Sequence, residues 1–79
     1  MNPRMYVGGL SSSTTDQQLG DLCAPYGTVK SARLITSRIT GLPLGHGFVE
    51  MDSAVEARNA IAALNGSQLE GQTLRCFSM

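Results

Sequence analysis

Leu44-Gly45-His46-Gly47-Phe48-Val49-Glu50-Met51 decides the fold, because its side chains change character at every step. Successive residues of a strand point to opposite faces. Gly47, Val49 and Met51 therefore share one side, and His46, Phe48 and Glu50 the other. A second run, Met5-Tyr6-Val7-Gly8-Gly9-Leu10, divides in the same way, with Met5 and Val7 against Tyr6 and Gly8. The aliphatic sets are the surface available for packing, which leaves Tyr6, His46 and Phe48 on an open face. An exposed aromatic patch needs a reason.

Outward from these two runs, the spacing predicts helices. Thr15 and Gln18 match a capping box, and Leu19, Leu22, Cys23 and Tyr26 recur at helical intervals before Pro25 and Gly27 end the element. Tyr26 is thereby assigned to the core or its edge. Ser53 and Glu56 form a second box, followed by Ala57, Ala60, Ile61 and Leu64 and a stop at Asn65-Gly66. Val29 to Thr36 reads as a second strand, with Ala32 and Leu34 opposed to Arg33 and Ile35. Ser37 to Leu44 reads as a loop, His46 to Met51 as the third strand and Gln72 to Phe77 as the last. In that last strand Leu74 and Cys76 face one way, Arg75 and Phe77 the other. The order is β-α-β-β-α-β, an α+β ferredoxin-like sandwich: a four-stranded antiparallel sheet with both helices on one face.

Seventy-nine residues make one domain, placed at residues 3–79, with 42% hydrophobic and 15% charged residues. Six basic and six acidic residues cancel, so total charge announces no polyanionic partner and charge position has to carry that case. No apolar run approaches the ~20 residues that span a bilayer, and strand-like sequence begins already at Met5. A cytoplasmic or nuclear protein, not a secreted one, is expected. Cys23 and Cys76 stand far apart with no histidine cluster and read as buried thiols, so no metal or other cofactor is expected.

The hexamer Met5–Leu10 and the octamer Leu44–Met51 resemble the two signature motifs of the RNA-recognition motif (RRM) family, the octamer following Lys/Arg-Gly-aromatic-Gly/Ala-aromatic-Val-x-aromatic. The likeness extends to Tyr26-Gly27-Thr28-Val29, to Thr40-Gly41 and to Leu64-Asn65-Gly66. It implies a non-enzymatic module that binds single-stranded RNA, or single-stranded DNA, on its open sheet face. Tyr6 and Phe48 would each stack one base, and His46 would lie against a sugar or between nucleotides. Arg33 and Arg75 would meet phosphates or bases, with Arg4, Arg38 and Phe77 as further candidates.

Some positions depart from the family. Leu44 stands where Lys or Arg is usual, which removes one ionic phosphate contact. His46 replaces Phe or Tyr with a smaller, titratable ring. Met51 replaces an aromatic on the core side, and Gly9 replaces Asn after the first strand. Asp16, Asp21, Asp52 and Glu56 fall on or just before the helices, so the sheet is the less acidic side, although Glu50 shares it. A low-affinity binder with shallow salt dependence is expected.

Other readings compete. An RRM that holds a polypeptide, through its sheet or the 37–44 loop, fits the neutral charge and Leu44. Ile39, Leu42 and Leu44 in that loop either fold back on the sheet edge or form a partner or self-association patch. A monomer that stays off membranes is otherwise expected. Acylphosphatases share the element order, but the glycine-rich loop with its catalytic arginine is missing here.

Overall fold

The computed structural model describes residues 2–79. Strand β1 (Arg4–Gly8) leads to helix α1 (Asp16–Cys23), which tightens into a 3-10 turn (Ala24–Tyr26). Strands β2 (Val29–Thr36) and β3 (Pro43–Met51), helix α2 (Ala54–Leu64), a small hairpin of β4 (Gln68–Leu69) and β5 (Gln72–Thr73), and strand β6 (Arg75–Ser78) follow. The main sheet is antiparallel with order β2-β3-β1-β6, so the two motif-bearing strands are its central pair. This is the expected βαββαβ arrangement.

Met5, Val7, Leu34, Val49, Met51 and Cys76 supply the sheet side of the core; Leu19 and Cys23 of α1 and Ala57, Ala60 and Leu64 of α2 supply the other. All are less than a tenth exposed, and Tyr26 packs at the margin of the same cluster. Gly47 sets how closely α1 approaches the sheet. A Cβ there would stand 2.6 Å from the Arg33 carbonyl oxygen and 2.9 Å from Leu19 Cδ2.

The first capping box forms as its sequence requires: Gln18 N–H donates to Thr15 Oγ1 (3.1 Å) and Thr15 N–H to Gln18 Oε1 (3.0 Å). At α2 the Glu56 N–H donates to Ser53 Oγ, but the Glu56 carboxylate does more than close a box. One oxygen accepts the Thr28 N–H at 3.0 Å, and the other accepts the Ser53 hydroxyl at 2.9 Å. The Thr28 bond, then the Ser53 hydroxyl, hold this carboxyl below its ordinary pKa.

Both edge strands have a main-chain donor occupied from a helix. Leu34 N–H of β2 donates to Asp16 Oδ1 at the start of α1 (2.8 Å), and Cys76 N–H of β6 donates to Asn65 Oδ1 after α2 (3.0 Å). An open edge is a template for unwanted pairing, and these side chains blunt it.

Two stretches differ from the sequence expectation. Pro43 and Leu44 belong to β3 and not to the loop, because Thr36 and Pro43 still face each other across the hairpin. The last strand is two pieces, because Leu74 is bonded away from the sheet: its N–H donates to Ser67 O (2.7 Å) and its carbonyl accepts the Gly66 N–H (2.8 Å). In the β2–β3 turn, Ser37 N–H donates to Leu42 O, and Gly41 adopts a φ of +75°. The aliphatic side chains of the turn and of Leu44 beside it do not fold back: Ile39 is 95% exposed, Leu42 60% and Leu44 56%. Among the described residues no helix is long and apolar enough to cross a membrane.

Candidate functional site

Register places the rings. Tyr6 sits at the centre of β1, directly opposite Phe48 on β3 and Phe77 on β6. Residues facing each other across an antiparallel pair project to the same side, so all three occupy the sheet face away from the helices. His46 joins them two residues before Phe48. Ring centroids lie 5.6 Å apart for Tyr6–His46, 5.7 Å for Tyr6–Phe77 and 6.0 Å for Tyr6–Phe48. The Phe77 and His46 planes tilt only 23° and 31° from Tyr6, whereas Phe48 is turned 62° to it. The His46 and Phe77 rings thus lie close to parallel with Tyr6 on either side of it, and Phe48 is turned edge-on to it.

Gly8 has a specific part in this arrangement. A Cβ there would lie 2.5 Å from Tyr6 Oη and 2.9 Å from its Cε1. The phenol ring therefore lies along its own strand, with its tip over the bare backbone of Gly8.

Cations surround the rings. Arg33 lies opposite Phe48 and Arg75 opposite Gly8, both exposed. Arg4 faces Glu50, with Nε 3.7 Å from Oε1, and Lys30 Nζ approaches Oε2 at 3.8 Å. Glu50, which sequence alone presents as an uncompensated negative charge on this face, is flanked by two positive ones. Arg38 is apart from the others, in the turn beyond the end of β2.

Phe77, one of the further candidates, is half exposed beside Tyr6 at the sheet's edge. Lys30 was missed altogether. Alternation puts it with Ala32 and Leu34 on the core side, but a register shift between Val29 and Ser31 turns it out to Glu50. A groove of about 490 Å³ runs along this half of the face, lined by Phe48, Ile35, Arg33, Arg4 and Glu50 among others.

The two thiols lie elsewhere. Cys23 and Cys76 are buried in the core, and burial pushes each up to about pKa 11, with the neighbouring Cys76 adding to the effect on Cys23. They are poor nucleophiles and poor metal ligands in the folded chain.

The described geometry is an antiparallel sheet with four clustered rings on the face away from the helices, and comparison with other proteins gives its class. The RNA recognition motif profile matches residues 5–75, and the chain belongs to that family. It is 48% identical over 71 residues to RbpA of Nostoc sp., which carries the name of an RNA-binding protein; the match spans 90% of this chain and 70% of RbpA. It is 41% identical over 68 residues to RNA-binding motif, single-stranded-interacting protein 1 of Bos taurus, covering 86% of this chain but 17% of that protein. Among solved structures, the Rna15 RRM with bound RNA (GU) superposes with a TM-score of 0.89 at 28% identity, covering 100% of this chain and 84% of that one.

Proposed function

We propose that the open sheet face binds single-stranded RNA, with one base stacked on Tyr6 and one on Phe48. The observation that carries this reading is the gathering of four rings on one uncovered face, around Tyr6. Core packing does not require rings there, since the aliphatic residues of the same strands already fill the helix side. The name of the Nostoc relative and the RNA held by the Rna15 RRM support the same reading.

In this scheme His46 lies against a sugar, Phe77 extends the platform, and Arg33 and Arg75 meet phosphates or bases. Arg4 is held back by Glu50, and Arg38 reaches only nucleotides that run past the β2–β3 turn. The module acts without catalysis or cofactor, as a monomer spanning residues 3–79, in the cytoplasm or nucleus. Single-stranded DNA would stack equally well, and only contacts to the 2′-hydroxyl would favour RNA.

Tyr6→Ala and Phe48→Ala should each weaken binding of a mixed-sequence RNA oligonucleotide by about 1–3 kcal/mol without loss of fold. Fluorescence anisotropy measures it, and unchanged affinity in both variants would remove the stacking reading. One observation favours a second role: the exposed Ile39, Leu42 and Leu44 offer an apolar contact for a polypeptide. If the turn serves self-association, sedimentation should show dimers that Ile39→Ser abolishes; a monomer at all concentrations excludes that role.

A further inference from the structure

We propose that the groove beside Phe48 selects guanine, with the Glu50 carboxylate accepting two hydrogen bonds from the base edge. This inference rests on the stacking reading above and gives it a base preference.

Glu50 and Phe48 are two residues apart on the same face of β3, and both line the same groove. Alternate residues of a strand stand roughly 6.5 Å apart, about the span of a base. A base lying on the Phe48 ring therefore carries one edge to the carboxylate. Arg33, opposite Phe48, and Arg4, opposite Glu50, bound the groove on its two sides.

The state of the carboxylate makes it a reader and not merely a paired surface charge. Its cations stand 3.7 and 3.8 Å away, which offsets its charge but is beyond hydrogen-bond length. Its side chain is already 30% exposed. Both oxygens keep lone pairs for an incoming donor, and covering them with a base costs less than it would for an isolated carboxylate.

Base chemistry then discriminates. Guanine presents two adjacent donors, N1–H and the exocyclic amino group, to the two oxygens of one carboxylate. Adenine and cytosine place an acceptor nitrogen beside their amino group. Uracil flanks its single N–H with two carbonyl oxygens. Each of those three brings a lone pair against the negative charge. Bidentate contacts to a carboxylate are the strong, geometry-selective kind, and single-stranded bases are free to present this edge.

The test uses the whole chain and fluorescein-labelled hexauridylate, alongside versions carrying one central guanosine, inosine, adenosine or cytidine. Guanosine should bind at least about tenfold tighter than adenosine or cytidine. Inosine, which keeps N1–H but lacks the amino group, should lose most of that advantage. Glu50→Gln, which exchanges one acceptor for a donor, should bring guanosine down to the level of adenosine. Wild-type protein that binds guanosine no better than adenosine overturns the proposal, as does a preference that survives in Glu50→Gln. If hexauridylate binds without any guanosine preference, the groove inference alone falls; if no oligonucleotide binds, the stacking reading falls with it. The inosine arm needs no variant, so the outcome does not depend on how Glu50→Gln folds.

Discussion

At the residue scale, two glycines of the signature strands have opposite jobs. At Gly8 the atoms that crowd a new Cβ belong to the tip of the Tyr6 ring, which can swing away. Gly8→Ala should therefore leave urea stability nearly unchanged while weakening RNA binding, because the ring loses its seat on the strand. At Gly47 the nearest atom is the Arg33 carbonyl oxygen, with Leu19 Cδ2 and the Leu34 Cα next, and the two backbone atoms cannot move without the strand. Gly47→Ala should cost about 1–3 kcal/mol of stability by overpacking; urea unfolding separates the two cases. Tyr6, His46 and Phe48 were legible in sequence because alternation runs without interruption through β1 and through the His46–Met51 part of β3, beyond the irregularity near Gly45. Lys30 was not, because one irregularity in β2 reverses its side of the sheet.

At the element scale, the helices and central strands announce themselves through caps and periodicity, while the sheet's margins do not. The division of the last strand at Leu74 depends on main-chain bonds to Ser67 and Gly66, which leave no mark in hydrophobic pattern. The tethers from Asp16 to β2 and from Asn65 to β6 are likewise tertiary facts. Their sequence signs, an acidic first helical residue and an Asn-Gly helix end, have ordinary local explanations. Asp16→Ala and Asn65→Ala should each destabilise by about 1–2 kcal/mol in urea unfolding, since each leaves a part-buried N–H of an edge strand unpaired. Asn65→Asp, which keeps the acceptor, should recover most of that loss. Equal instability of Asn65→Asp and Asn65→Ala would mean that the Cys76 bond contributes little.

At the scale of the whole molecule, neutral charge and an aromatic face combine into a particular kind of binder. Arg4 and Lys30 are partly engaged by Glu50, and Leu44 holds the strand position at which the RRM octamer has Lys or Arg. Leu44→Lys should steepen the dependence of log K on log salt by roughly 0.7 for a single strand; an unaltered slope would place that position away from the nucleic-acid backbone. The core carries its own pH signature. Both thiols are pushed up to about 11, so between their ordinary range near 9 and that value the unfolded chain has released protons that the folded chain still holds. Their contribution is complete below about pH 9 and is lost as pH rises toward about 11. The urea midpoint should fall across that window more in the wild type than in Cys23→Ala/Cys76→Ala. The central claim, that bases lie on the rings of the open face, is tested most directly by nuclear magnetic resonance of the aromatic side chains during titration with a single-stranded RNA. Ring protons of Tyr6, Phe48 and Phe77 should move upfield as bases cover them, while Tyr26, packed against the core, stays in place. Shifts confined to the 37–42 turn or the helices, with the Tyr6 and Phe48 rings unmoved, would contradict it.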